Sequence, residues 1–147
     1  MREISALSRY WYSYTHRSLK TLDIAGSEHA IIMTLAINEC MNQYELSDSL
    51  SLNKGTIAKA LLKLEDKGFV KREVNEENRR EKLVSLTAYG NEEVGKIFGV
   101  SETWKQEVLE GISEQDQEVF FRTLFHVSQR AKMLVASDTV EMEVYEN

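Results

Sequence analysis

Three observations predict a mainly α-helical protein that contains one short β hairpin. The chain has 147 residues and no proline, which permits long uninterrupted helices. A helical pattern that begins after Asn53 ends at Gly68, and glycine suits the left-handed position that follows a helix. Two short stretches of strand composition follow, joined by a polar, charged turn over 75–81. The order helix, strand, charged loop, strand describes a winged helix-turn-helix, whose second helix enters the major groove of DNA.

The segment before this unit has the pattern of three helices. Residues 3–22 repeat apolar side chains at spacings of three and four, so these side chains share one helix face. Ser27 is a candidate N-cap for a second helix over 28–41, which is apolar on nearly all sides and is therefore expected to be buried. Asn42 and Glu45 have the spacing of a capping box and predict a short third helix.

The fourth helix and the hairpin are predicted to form the DNA-binding surface. Asn53 is the expected N-cap of this helix. Its inward residues are predicted to be Ile57, Ala60, Leu61 and Leu64. Strands are predicted over 69–74 and 82–86, and the inward strand residues are expected to include Val70, Val74, Val84 and Leu86. This pattern leaves the lysines of the helix on its outer side.

Two further helices are expected after the hairpin. Thr87 and Ser113 are their candidate N-caps. The apolar face of the first helix runs from Val94 to Ile112, and Gly95 and Gly99 interrupt that face, each costing about 1 kcal/mol of helix propensity relative to alanine. The terminal helices carry more apolar surface than a winged unit alone can cover. We therefore expect residues 1–26 and 100–147 to form a dimerisation region around a DNA-binding region at 27–99, within a single structural domain.

Charge and composition narrow the class of protein. The net charge is −6, which disfavours a protein that simply coats DNA. Residues 53–85 nevertheless carry a net charge of +3, against −9 for the remainder. No apolar run predicts a membrane span, and the N-terminus lacks the pattern of a signal peptide. The single cysteine, Cys40, suits a reducing cytoplasm and is expected to act as a small apolar filler.

Three segments carry a resemblance to a known family. They are LSLNKGTIAK at 50–59, LEDKGFV at 64–70 and RREKLVSLTAYG at 79–90. With the order of helices around them, they resemble the multiple-antibiotic-resistance regulator (MarR) family over nearly the whole chain. The resemblance implies an obligate homodimer that binds palindromic operator DNA, usually as a repressor. Many members release DNA when a small phenolic or other aromatic ligand binds, so such an effector is a possible partner.

The predicted wing departs from the family pattern. Members typically show Asp-x-Arg-Asp-x-Arg, whereas this chain has NEENRR at 75–80. Glu77 occupies the place of an arginine that the family directs at the minor groove, while Arg80 is retained and Arg79 is a candidate replacement. A carboxylate near phosphates is repulsive, so a second interpretation is a winged-helix protein-interaction module with weak or lost DNA binding.

The candidate DNA-binding residues lie on the outer side of the fourth helix and on the wing. They are Asn53, Lys54, Thr56, Lys59, Lys63, Arg79, Arg80 and Lys82. Lysine can donate to guanine, and threonine can contact a thymine methyl group or a phosphate. The alternative is that these lysines are ordinary solvated side chains.

A second candidate site is a ligand cleft. It would be lined by Tyr10, Trp11, Tyr14, Met33 and Trp104, although aromatic residues at helical spacing more often form core or dimer contacts. The three histidines are far apart in sequence, so no metal site is expected. The chain has no glycine-rich phosphate loop and no nucleophile elbow, so we expect neither catalytic residues nor a cofactor, and the protein is not expected to be an enzyme.

Overall fold

The computed structural model describes residues 1–24 and 26–145, with side chains as far as Val135. Their elements are α1 (Arg2–Ser18), a 3-10 turn (Lys20–Leu22), α2 (Ser27–Asn38), β1 (Cys40–Asn42), α3 (Gln43–Leu50), α4 (Lys54–Asp66), β2 (Val70–Val74), β3 (Lys82–Leu86), α5 (Ala88–Val108) and α6 (Glu114–Tyr145). Two compact units divide the chain after Gln106. The predicted mainly α-helical winged helix-turn-helix is confirmed. Ala25, Glu146 and Asn147, which the predicted ranges include, lie outside the described residues.

A three-stranded antiparallel sheet in the order β1-β3-β2 forms the wing and its support. Its first strand corrects one prediction, because the helix expected over 28–41 ends at Asn38. Glu39 then adopts a φ of 59°, and Cys40 pairs with Ser85 of β3. Cys40 is exposed, so its predicted role as an apolar filler is wrong. An edge strand turns alternate side chains toward solvent, and Cys40 lies at such a position.

The core of the first unit lies between α2, α3, α4 and the sheet. The predicted inward face of α4 is confirmed, since Ile57, Leu61 and Leu64 are fully buried. Val70, Val84 and Leu86 are also buried, but Val74 is 56% exposed and that prediction is wrong. Alternation puts Val74 on the same side of β2 as Val70. It pairs with Lys82 at the far end of the hairpin, where the hairpin leaves the core.

Among the described residues, side-chain caps begin four of the six α-helices, α3 to α6, as local sequence predicts. Asn42 and Glu45 form the expected capping box at α3. The Asn53 side-chain oxygen accepts a hydrogen bond from the Thr56 amide at 2.8 Å, which begins α4. Of the caps predicted for α2 and α5, only the second is confirmed: Gly90 N donates to Thr87 Oγ1 at 3.0 Å, whereas Ser27 is itself helical.

Two further predictions concern the C-terminal helices. The first of these helices continues past Gly95 and Gly99, as predicted, because α5 runs through both. Both glycines have open space around them, so the helix accommodates them at the cost of some propensity only. The cap at Ser113 is confirmed, since its Oγ accepts from the Asp116 amide at 3.2 Å. Within the described residues no helix is long and apolar enough to cross a membrane.

Candidate nucleic-acid interface

Helix α4 has one buried, apolar face and one exposed, charged face. Lys54 and Lys59 are exposed on the outer side, and Thr56 is half-buried beside them. Asn53 is exposed, but its side-chain oxygen is engaged as the N-cap. No ion pair among the described residues involves Lys59, so its ammonium group is available to an external anion.

The first turn of α4 packs against the first turn of α3. Gln43 Nε2 donates to the Lys54 carbonyl oxygen at 3.3 Å, and Lys54 Nζ lies 5.8 Å from the centre of the Tyr44 ring. A cation over an aromatic face is attracted to it. The exposed Tyr44 therefore belongs to the surface that carries Lys54. Sequence reasoning missed Tyr44, although its place two residues after the Asn42 cap marked it as a first-turn residue.

Lys63, at the other end of α4, points toward α2. Its Nζ lies 3.6 Å from Glu28 Oε1, and Glu28 is buried. Lys67, one turn later, makes the closer pair at 2.8 Å to Glu28 Oε2 and a further pair with Asp23 at 3.1 Å. Burial alone would lower the pKa of Lys67, but hydrogen bonds to Glu28 and Asp23 outweigh it and raise that pKa. Sequence reasoning did not identify Glu28.

The wing loop presents its charges to solvent. Its backbone closes through Asn75 N to Glu81 O at 3.0 Å and through Glu81 N to Asn78 O at 2.9 Å. The side-chain oxygens of Asn75 and Asn78 accept from the amides of Glu77 and Arg80 at 3.0 and 3.3 Å. The asparagines therefore shape the loop, as they often do in turns. Four charged residues remain exposed at its tip, Glu76, Glu77, Arg79 and Arg80.

A groove joins the wing to the helices. It has a volume of about 340 Å³ and is lined by residues that include Tyr44, Arg72, Arg80 and Lys82. Arg72 reaches from β2 to Glu65 of α4, with 2.8 Å between Nη2 and Oε2, and so ties the hairpin to the helix. The structure thus places Arg80 and Lys82 on the same groove as the start of α3. The groove lining holds three basic side chains, Arg72, Arg80 and Lys82, and one acidic side chain, Glu81.

The family follows from this arrangement and from comparison with known proteins. The MarR family model matches residues 24–82, from just before α2 to the start of β3. The chain therefore carries a MarR domain, the domain of a family of DNA-binding transcriptional regulators. Transcriptional regulator HosA of Escherichia coli is 26% identical over 100 residues, which cover 68% of this chain and 74% of HosA. Members of the MarR family are transcription regulators and not enzymes.

Solved MarR structures share the fold of this chain. A MarR transcriptional regulator from Methanosarcina mazei Go1 is 26% identical, with a TM-score of 0.84 over 90% of this chain and 96% of that one. A mutant of MarR from Escherichia coli, solved in complex with operator DNA, is 24% identical, with a TM-score of 0.77 over 86% and 91% of the two chains. At that identity the second comparison shows the fold alone.

The chain also contains an aromatic cluster between α1 and α5. Trp104 lies 5.7 Å from Trp11 and 4.9 Å from Tyr14, measured between ring centres. His29 joins them, 5.3 Å from Trp11, and its Nε2 is 3.2 Å from Ser101 Oγ. Burial lowers the pKa of His29, which favours the neutral imidazole.

Three of the five predicted ligand residues therefore come together in the first unit. Tyr10 is exposed, whereas Met33 packs against the buried core. His29 and Ser101 were missed because they are distant from each other in sequence and no motif links them. Among the described residues no group of three His, Cys, Asp or Glu side chains could hold a metal ion.

Proposed function

We propose that this MarR family regulator is a homodimeric, sequence-specific repressor that binds a palindromic operator in the cytoplasm. The observation that carries the proposal is the outer face of α4, where Lys54 and Lys59 stand exposed beside a wing that carries Arg79 and Arg80. This surface lies in the net-positive segment of an otherwise acidic chain. The net negative charge of the remainder disfavours its other faces as DNA contacts.

Each candidate residue has a proposed role. Lys54, Thr56 and Lys59 contact base edges or phosphates in the major groove, while Asn53 fixes the start of the helix beside the backbone. The remaining candidates contact phosphates or the minor groove, namely Lys63, Arg79, Arg80 and Lys82. Lys63 differs from Lys59 in having a buried carboxylate partner, Glu28.

The dimer is proposed because both α1 and α6 expose apolar side chains to solvent. Ile4 and Leu7 of α1 are exposed, as are Phe120, Leu124 and Phe125 of α6. Patches of this kind mark interfaces. We propose that 1–26 and 100–147 form the dimerisation region and that 27–99 reads DNA. The two copies of α4 in the dimer, about 34 Å apart, would then enter successive major grooves. Sedimentation is expected to show a dimer at micromolar concentration, and a stable monomer would contradict the operator proposal.

The direct test of the proposed function is selection of bound fragments from genomic DNA with the purified protein. A repressor is expected to enrich a few fragments that share a two-fold symmetric sequence. Enrichment that ignores sequence and disappears at physiological salt would reduce the interaction to non-specific contact with phosphates.

Lys59→Ala is expected to weaken DNA binding and leave the fold intact, because Lys59 is exposed and takes no part in the ion pairs of the described residues. Loss of one phosphate contact lowers the slope of log K against log salt by about one unit. If Lys59 reads a base, discrimination at that position also falls by about 1–3 kcal/mol. Lys96→Ala is the matched control, since it removes the same charge from an exposed site on α5 that pairs with Glu93. Equal slopes for the two variants would show that Lys59 is only a solvated lysine.

We also propose that a small aromatic effector releases the repressor from DNA. Its site would be the cluster of Trp11, Tyr14 and Trp104, with Tyr10 and Met33 at the margin. Aromatic rings beside one polar pair, His29 and Ser101, suit a ligand that is apolar with one hydrogen-bonding group. Titration of tryptophan fluorescence with phenolic acids tests the proposal, and release of bound DNA must occur over the same concentration range.

One observation favours the alternative of a protein-interaction module. Glu76 and Glu77 are exposed at the tip of the wing, where DNA would meet negative charge first. A salt-dependent mobility shift separates the two functions. A module that has lost DNA binding gives no shifted complex even at low salt.

A further inference from the structure

Glu28 places a buried carboxylate beside the last turns of α4. It belongs to the first turn of α2, and its side chain is only 7% exposed. Lys63 and Lys67 of α4 approach its two oxygens, at 3.6 Å and 2.8 Å. Residues four apart on a helix share one face, so both ammonium groups can reach the same carboxylate. Glu28 thus links α2 to the helix that carries the proposed DNA contacts.

The two lysines are not equivalent partners. Lys67 is mostly buried, with 22% of its side chain exposed, and it also pairs with Asp23. A buried carboxylate requires a close partner, and Lys67 supplies it. Lys63 has 56% of its side chain exposed and the longer distance, so its pair with Glu28 is partly solvated. A partly solvated ion pair is weak, and another anion can displace it.

We propose that Glu28 is a positioning residue that holds Lys63 back from the DNA backbone, so that Lys63 is shared between this carboxylate and a phosphate. The inference rests on the proposed DNA-binding function. It follows that the negative charge of Glu28 lowers the number of phosphates that the protein neutralises. Lys67 forms ion pairs with both Glu28 and Asp23, so it stays in place when DNA binds.

Glu28→Gln isolates this effect. The amide oxygen can still accept the hydrogen bond from Lys67, but the charge that attracts Lys63 is gone. The slope of log K against log salt is expected to steepen by up to about 0.9, because Lys63 would then neutralise one more phosphate. In a Lys63→Ala background the same substitution is expected to leave the slope unchanged. A purely structural role would change the folded fraction, measured by thermal unfolding, and would not change the slope of the folded protein.

Lys63→Ala in the otherwise unchanged chain provides the second measurement. Because Glu28 restrains Lys63, this variant is expected to lower the slope by less than half as much as Lys59→Ala. The inference is overturned if Glu28→Gln leaves the slope unchanged in the presence of Lys63, or if Lys63→Ala and Lys59→Ala lower it equally. These outcomes leave the proposed function standing. Absence of any DNA complex with the wild-type protein would remove the proposed function and the inference with it.

Discussion

Gly90→Ala is expected to destabilise the protein by about 1–3 kcal/mol or more, the range for an overpacked core. A Cβ atom at this position would clash with the carbonyl oxygen of Phe69 and would lie 3.1 Å from the carbonyl carbon. Both are backbone atoms, and Phe69 is fully buried. The same carbonyl accepts the Thr87 amide at 3.0 Å, so moving it away also weakens the cap of α5. The clash can therefore be relieved only by separating α5 from the start of β2.

Gly95→Ala is the matched control for this prediction. It makes the same substitution in the same helix, at a position with no atom within 4 Å of the new Cβ. Alanine is favoured over glycine within a helix, so this variant is expected to gain about 0.5–1 kcal/mol. Urea unfolding of the two variants and the parent gives the comparison. Similar midpoints for the two variants would contradict the close approach of Gly90 to Phe69.

The second large effect is expected from Glu77→Arg on DNA binding. Glu77 is exposed at the tip of the wing, and its amide is held by Asn75, so the side chain projects from a defined turn. The substitution changes the local charge by two, whereas Lys59→Ala changes it by one. The minor groove concentrates negative potential, so an arginine there is attracted where a carboxylate is repelled. Affinity should rise, mainly for non-specific DNA, with a steeper dependence on salt.

Arg79→Ala completes the test of the wing. It should weaken binding if Arg79 has taken over the contact that the family pattern assigns to the position of Glu77. Glu92→Arg provides the control, since it makes the same charge reversal at an exposed position on α5. Binding is to be measured at two salt concentrations for all three variants. If Glu77→Arg and Glu92→Arg are alike and Arg79→Ala has no effect, the wing does not touch DNA, which favours the interaction module.

Local sequence determined where α3, α4, α5 and α6 begin and which face of α4 points inward. Caps act over three residues, as at Asn53 and Thr87, so the information that sets them is contiguous. The spacing of Ile57, Leu61 and Leu64 likewise defines one helix face without reference to the rest of the chain. The order of helix, strand, charged loop and strand was sufficient to predict the winged helix-turn-helix for the same reason.

Tertiary structure alone decided the contacts between distant segments. The strand at Cys40 exists because β3 offers it a partner, which no local pattern near the end of α2 reveals. Val74 satisfies the alternation of its strand, yet the hairpin carries it past the edge of the core. Glu28 looks like an ordinary first-turn acid in the sequence. It becomes a buried ion-pair partner only because α4 brings Lys67 to it, and burial in a folded core depends on such non-local packing.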